Sequence, residues 1–286
     1  MGQIVKKIKV MLLGSAGMAG HVLKCELQKI SDIIELVDVA RSSELIRPKI
    51  EMDVTDFMVL RKIINEGDFD FIINCVGILN AFAEDNPDQA ILVNAYFPHF
   101  LERITKSSNL RIIHLSTDCV FSGSKGDYIE TDLKDGEGFY GQSKALGELD
   151  NDKDLTIRTS IIGPDLKQDG IGLFNWIINQ EGVINGFSNA YWSGVTTIQL
   201  AKSIIEFILQ NDPPAGVVHL TNNEKISKYE LLKIIQQVFK LAHVKVVESK
   251  EHKTDKSIVN TRKELQLKIP PYHQMIMGMK KWMVSQ

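Results

Sequence analysis

Tyr140 and Lys144 stand four residues apart in YGQSK, and upstream an apolar run, RIIHLS, gives way to Thr117 and Asp118. On a helix, residues i and i+4 share a face, with Cβ atoms about 5–6 Å apart. A free phenol has a pKa near ~10 and holds its proton too tightly to serve well at neutral pH. An ammonium about 4 Å away, at an effective dielectric near ~20, favours the phenolate by about 4 kcal/mol. That is roughly 3 pKa units before desolvation takes its share. The spacing therefore suits proton transfer to and from Tyr140. By itself such a pair is ordinary surface decoration, and Ser, Thr and Asp end many strands because they make turns and caps. The elements around them decide between the readings.

Those elements alternate. IKVMLL (8–13), IIELVDVA (33–40), DFIINCVG (70–77), RIIHLS (111–116) and LTIRTSII (155–162) read as strands. Helical spacing covers 17–30, 56–67, 87–108 and 140–150, with Pro87 suited to a first turn and Gly67 to a helix stop. Near-continuous apolar strands alternating with helices predict a Rossmann-type, doubly wound parallel α/β sheet covered on both faces. Ligands of such sheets bind beyond the strand C-termini, where Gly14, Gly77 and Thr117 would lie. After residue 162 the pattern loosens. A helix at 196–210, the strand GVVHL and an amphipathic helix from Ser227 predict a smaller, interleaved C-terminal α/β substrate lobe. The expected division is 1–162 with 195–213 for the dinucleotide-binding part, and 163–194 with 214–286 for the lobe.

GSAGMAG places Gly14, Gly17 and Gly20 between the first strand and the first helix. A tight turn there lets the backbone of Gly14, Ser15, Gly17 and Met18 approach a pyrophosphate at a helix N-terminus, where a Cβ would intrude. The second strand ends VDVARSS. Asp38 would hold a ribose 2′-hydroxyl and favour NAD(H); Arg41, followed by Ser42 and Ser43, would pair with a 2′-phosphate. Arg41 lies nearer the strand tip, so NADP(H) is favoured over NAD(H). In MDVTD, Asp53 and the Val54 amide either hold the adenine or belong to a helix cap formed by Asp53 or Thr55. Cys75, Val76 and Gly77 put small groups where a dinucleotide crosses the sheet edge.

The net charge is −3, with no basic arm or stripe, which disfavours nucleic acid as a partner. Cys25, Cys75 and Cys119 are odd in number and form no CxxC pair, which suggests reduced thiols in a cytoplasm and neither a disulfide framework nor a zinc site. No segment reaches the roughly 18 apolar residues of a membrane span. No His, Asp or Glu cluster has metal spacing, and His114 reads as a packed core residue. The helix 227–241 and the terminal MIMGMKKWM read as packing elements; a homo-oligomer is possible.

GSAGMAG, DVTD, INCVG, STDCVFSG, YGQSK and IRTSIIGP together resemble the extended short-chain dehydrogenase/reductase family, over nearly the whole chain. STDCVFSG, the chain length and YWSGVTT are most similar to its dTDP-4-dehydrorhamnose reductase branch, which reduces the 4-keto group of nucleotide-linked deoxysugars. The resemblance implies that Thr117 hydrogen-bonds the ketone, that Tyr140 protonates its oxygen, and that Lys144 tunes Tyr140 and binds the nicotinamide ribose. It places Arg158 and Ser160 near the nicotinamide, and Asp118, Phe121 and Trp192 in the sugar pocket, Trp192 equally serving as packing between the lobes. Two departures stand out. Gly136-Glu137-Gly138-Phe139-Tyr140 replaces the Pro-x-Asn-x-Tyr-Gly of many members. Thr117-Asp118-Cys119 replaces the Thr-Asp-Glu of the dehydratases, and a thiol is a poor substitute for that Glu. An epimerase on the same fold, and a non-catalytic subunit with a structural dinucleotide, are the alternative readings.

Overall fold

The computed structural model describes residues 6–41, 47–166 and 172–286. In chain order the first half comprises β1 (Ile8–Leu13), α1 (Met18–Gln28), β2 (Ile34–Ala40), β3 (Ile50–Glu51), α2 (Phe57–Glu66), β4 (Phe71–Asn74), α3 (Asn80–Asp85), α4 (Pro87–Ala90), α5 (Phe97–Thr105), β5 (Arg111–Ser116), α6 (Gly138–Leu146) and β6 (Leu155–Arg158). The second half comprises β7 (Ile161–Ile162), α7 (Leu173–Ile178), β8 (Gly182–Phe187), β9 (Ala190–Trp192), β10 (Val195–Thr196), α8 (Thr197–Ile208), β11 (Gly216–His219), β12 (Ile226–Ser227), α9 (Lys228–Phe239), β13 (Val244–Ser249), β14 (Thr254–Asp255) and α10 (Tyr272–Val284).

Seven strands form one sheet in the order β11-β6-β5-β4-β1-β2-β3, and every neighbouring pair is parallel. This is the doubly wound arrangement expected from the sequence. The period-two alternation of the strands explains their apolar runs. Val10 and Leu12 face one core, with Val22, Leu23 and Leu27 of α1 and Ile204 of α8. Met11 and Leu13 face the other, with Leu60 of α2 and Leu101 of α5. The lobe rests on the first core. It pairs β8 with β13 in parallel and joins β12, β9 and β14 in a second small sheet. Among the described residues no helix is long and apolar enough to cross a membrane.

Three expectations change. The strand expected over 155–162 stops at Arg158, and Ile161–Ile162 pairs instead with β10. The segment 214–286, assigned to the lobe, contributes β11 to the edge of the main sheet beside β6, so the lobe's second segment begins beyond it. The helix expected over 87–108 is interrupted by a π-helical turn, Ile91–Tyr96, between α4 and α5. Pro98 supplies a reason: it has no N–H to give to the carbonyl of Asn94, and its ring crowds that carbonyl. The released oxygen lies at the end of α6, where a Cβ on Gly147 would come within 1.8 Å of it.

Just past α6, Glu148 fastens the helix to the mouth of the sheet. Both its oxygens take hydrogen bonds from Arg158, at 2.7 Å each, and one also accepts from Ser116 at 2.6 Å. Ser116 and Arg158 are register partners on β5 and β6, so one carboxylate bridges two strand ends and the helix above them. Burial alone would raise the Glu148 pKa. The Arg158 guanidinium, the Ser116 bond and Lys134 overturn that effect and hold it below the usual value. A depressed carboxylate pKa stabilises the fold above its unfolded value and loses that contribution as pH falls through the folded one. Glu148→Gln leaves a buried guanidinium uncompensated and is expected to cost about 3–5 kcal/mol near neutral pH. Urea midpoints of variant and wild type should differ clearly at pH 7 and converge on acidification below the carboxylate range; a pH-independent difference would show that the ion pair is not its source.

Candidate active site

The turn between β1 and α1 hangs from β2: the N–H groups of Gly14 and Ser15 both donate to the Val39 carbonyl. Gly14 has φ +84°, and a Cβ there would lie 3.1 Å from the Cys75 carbonyl carbon. At Gly20 a Cβ would stand 2.0 Å from the Gly14 oxygen. These two glycines let the turn close against β4 and α1. Gly17 differs. A Cβ there meets only the Gly14 oxygen, at an ordinary 3.5 Å, so the fold does not need the bare backbone. Gly17 is the N-cap of α1, its first turn holds no acidic residue, and among the described residues no side chain caps the helix. The N–H groups of Met18, Ala19 and Gly20 are therefore the orphan donors of a helix N-terminus, which suits an anion such as a diphosphate.

Asp38 is committed elsewhere. It accepts from the buried Ser15 hydroxyl at 3.0 Å, from Lys24 at 2.8 Å and from the Lys49 amide at 3.1 Å. Its carboxylate braces the turn from beneath. Arg41 follows the last residue of β2 and is exposed; Ser42 and Ser43 lie outside the described residues. Asp53 accepts from the Thr55 hydroxyl at 2.6 Å and the Thr55 amide at 2.9 Å, and these bonds, with a smaller pull from Arg41, lower its pKa. The cap of α2 is neither Asp53 nor Thr55 but Asp56, whose side chain accepts from the Val59 amide. Val54 is buried beside this turn.

At the end of β4, Asn74 accepts from the Val76 amide at 3.1 Å, and burial pushes the Cys75 thiol up to about 12. Gly77 abuts Asn94, whose amide takes the Ile78 N–H at 2.8 Å, gives to the Ile78 carbonyl at 2.9 Å and reaches the Ser143 hydroxyl at 3.1 Å. The π-helical turn thus ties the loop after β4 to α6.

Thr117 follows β5 and is nearly buried; its hydroxyl accepts from the Cys119 amide and donates to Asp118. Tyr140 sits in the first turn of α6. The open N-terminus of that helix is capped from another helix: Glu84 of α3 accepts from the amides of Phe139 and Tyr140 at 3.0 and 3.1 Å. Gly138, at φ +77°, makes room, since a Cβ would stand 2.6 Å from Glu84 Oε1. The fold brings Tyr140 to Thr117. Burial pushes the phenol well above its usual pKa, Cys119 and Asp118 add to that, and a hydrogen bond with Thr117 acts against it.

Lys144 is almost fully buried on the same helix face. Its ammonium donates to the Leu115 carbonyl at 2.6 Å and lies 3.3 Å from His114 Nε2. Burial draws it down to about 8, against the charge of Glu148. The expectation that Lys144 acts directly on the phenol is corrected here. Nζ is turned to the sheet, and the phenol shifts up rather than down.

Other expected site residues divide. Arg158 spends its guanidinium on Glu148, the Glu130 carbonyl and His219, and stacks over Phe121, so it is a brace rather than a cofactor ligand. Phe121 is fully buried and parallel to Tyr128, with ring centroids 4.2 Å apart. Trp192 packs against Tyr272 at 5.6 Å and closes over Gly194, which makes it lobe core. Ser160 lies half-buried just past β6, its carbonyl taking the Val195 N–H. Asp118 faces the lobe: burial raises its pKa, and Lys256 and Lys228 oppose that. Among the described residues no group of three or more His, Cys, Asp or Glu is placed to hold a metal ion. Sequence reasoning passed over Glu84, Asn94 and Glu148, and read His114 as core packing. Only Glu148, four residues after Lys144, left a spacing signal.

The family model described as the RmlD substrate binding domain matches residues 8–266. A dTDP-4-keto-6-deoxy-D-glucose reductase from Streptomyces niveus is 24% identical over 234 residues, covering 78% of this chain and 76% of that protein. The crystal structure of a hypothetical dTDP-4-dehydrorhamnose reductase from Sulfolobus tokodaii is similar with a TM-score of 0.77 and 29% identity, over 91% of this chain and 95% of that one. A Bacillus anthracis dTDP-4-dehydrorhamnose reductase, solved in complex with NADP, shares the fold with a TM-score of 0.79 at 21% identity, over 98% and 100% of the two chains.

The glycines make separable predictions. Gly20→Ala forces a Cβ into the Gly14 carbonyl and should lower the urea midpoint. Gly17→Ala should lower stability by no more than about 1 kcal/mol, alanine being a poorer N-cap than glycine but meeting no clash there. It should nonetheless weaken dinucleotide binding at least tenfold, about 1.4 kcal/mol, in a fluorescence titration. Unchanged binding by Gly17→Ala would remove the turn as the diphosphate site.

Proposed function

The chain belongs to the RmlD substrate-binding-domain family, and from that membership and the site's geometry we propose that it reduces the 4-keto group of a nucleotide-linked 6-deoxysugar, with NADPH favoured over NADH. The observation that carries this reading is the meeting of Thr117 and Tyr140 at the mouth of the sheet, beside the uncapped N-terminus of α1.

A bound dihydronicotinamide supplies the hydride that converts the ketone carbon to an alcohol carbon. The rest falls to the protein. The orphan N–H groups of α1 hold the diphosphate, and Gly17 lets it approach. Arg41 gives a 2′-phosphate a cationic partner at the tip of β2, where Asp38 is already occupied. Thr117 turns its one hydroxyl proton from Asp118 to the carbonyl oxygen and fixes its position. Tyr140 gives its proton to that oxygen as negative charge builds there. A phenol with a raised pKa is protonated throughout the neutral range, which is the form a donor needs. Asp118, with Lys256 and Lys228 across from it, marks the lobe side of the cleft where the sugar nucleotide enters.

Tyr140→Phe keeps the ring and removes the proton. It should lower kcat about 10²–10⁴-fold without moving the urea midpoint appreciably. Incubation with 4-keto nucleotide sugars, followed by NADPH absorbance, should show one NADPH consumed per product; product formed without net oxidation would indicate an epimerase. An unchanged biological output in Tyr140→Phe, with no turnover in wild type, would point to a structural dinucleotide in a non-catalytic subunit. Arg41→Ala should cut the NADPH-over-NADH preference in kcat/KM at least tenfold, about 1.4 kcal/mol; an unaltered ratio would place the discriminating residue elsewhere.

A further inference from the structure

Lys144 is built into a buried hydrogen-bond chain that the reduction described above does not use. Asn74 and His114 are register partners on β4 and β5, and both side chains are wholly buried. The chain can be oriented from one fixed point. The Val76 amide is a donor and nothing else, and it meets Asn74 Oδ1 at 3.1 Å. Asn74 therefore turns its NH₂ toward His114 Nδ1, 3.1 Å away. A nitrogen that accepts a hydrogen bond carries no proton, so the neutral imidazole has its proton on Nε2. Nε2 stands 3.3 Å from Lys144 Nζ. An ammonium has three donors and no acceptor, whereas a neutral amine has a lone pair. The contact is a hydrogen bond with the amine and two opposed donors with the ammonium. The bond from Nζ to the Leu115 carbonyl is satisfied in either form.

We propose that the Asn74–His114 pair sets the proton on Lys144: by presenting an N–H to Nζ it favours the amine over the ammonium. His114 is thus a positioning residue, acting on the substrate only through Lys144. The inference rests on the proposed reduction and on the role that the family resemblance gives the Lys144 ammonium, holding the nicotinamide ribose.

The other groups facing Lys144 leave room for this effect. Cys75, at the end of β4, is held as the neutral thiol. Glu148, beyond α6, favours the ammonium but shares its charge with Arg158 and Lys134. Tyr140, one turn back, is the neutral phenol. His114 itself is kept from taking a second proton by burial, then by the charge of Lys144 and of His99. Burial already draws Lys144 down, and the Nε2–H contact adds to that. If the ammonium is the working form, turnover falls as pH rises through the Lys144 value.

Asn74→Asp tests this. The carboxylate is nearly isosteric; one oxygen still accepts from Val76 and the other accepts from His114 Nδ1–H. The imidazole proton moves to Nδ1, and Nε2 becomes an acceptor for the ammonium. The alkaline fall in kcat/KM should move up by about one pH unit or more, a tenfold shift in the acid constant. In the uncomplexed full chain, nitrogen-15 NMR should show wild-type His114 protonated on Nε2 and not titrating between pH 5 and 9. The Lys144 titration should move upward in Asn74→Asp by the same amount as the kinetic limb. A wild-type proton on Nδ1, or a Lys144 titration unmoved in a folded Asn74→Asp protein, would overturn the assignment. The NMR measurements need no substrate. Failure to turn over any 4-keto sugar would sink the proposed reaction and leave them to judge the device alone.

Discussion

The carboxylate of Glu148 must be neutralised where no water reaches it, and much of the site follows from how that is done. Taking such a charge out of water costs several kcal/mol unless it is paired and fully hydrogen-bonded. Arg158, Ser116 and Lys134 meet that demand, and they come from the ends of β6 and β5 and from the loop before α6. The pairing therefore places the C-terminal end of α6 over two strand tips. Once that end is fastened, Lys144, one turn earlier, points down at β5, and Tyr140, another turn back, reaches Thr117.

The remaining restraints on α6 are of different kinds. Its N-terminus takes Glu84 as a cap from α3, so the loop after β4 and the residue bearing the phenol are coupled. Its far end packs against the Asn94 carbonyl that Pro98 leaves without a helical donor, which is why glycine stands at 147. Asn94 also holds Ile78 at the sheet edge. A helix held at both ends by polar contacts keeps two side chains in register with a strand end at a precision that apolar packing alone supplies less well.

The dinucleotide end follows a complementary logic. There the backbone is left unsatisfied on purpose: α1 begins without a cap, beside a glycine whose missing Cβ nothing in the protein would fill. The acidic residue that might have held a ribose is instead consumed beneath the turn by Ser15, Lys24 and the Lys49 amide. Among the described residues, Arg41 is the exposed charged residue that directly follows β2. One end of the cleft thus presents the N-terminus of α1, and the other a buried phenol whose proton is firmly held.

Much of this was legible in the residues. Apolar strands alternating with helices announced a doubly wound sheet because two covered faces require continuous apolar runs. The spacing of Gly14, Gly17 and Gly20, and the i,i+4 step from Tyr140 to Lys144, are local properties that survive folding unchanged. Thr117 was readable because a hydroxyl at the end of an apolar strand lies at the mouth of such a sheet. What the residues could not disclose is where each polar group spends its bonds. Arg158 and Phe121 have the chemistry of a site, yet Glu148 and Tyr128 claim them. Asp38 has the chemistry of a ribose ligand, yet the turn claims it. Glu84 gave no signal and His114 read only as core packing, because their partners, the N-terminus of α6 for one and Asn74 and Lys144 for the other, lie 30 to 56 residues away on other elements. Sequence sets chemistry and local period; only the packed chain decides which donor meets which acceptor, because that choice depends on distances between elements that no local pattern encodes.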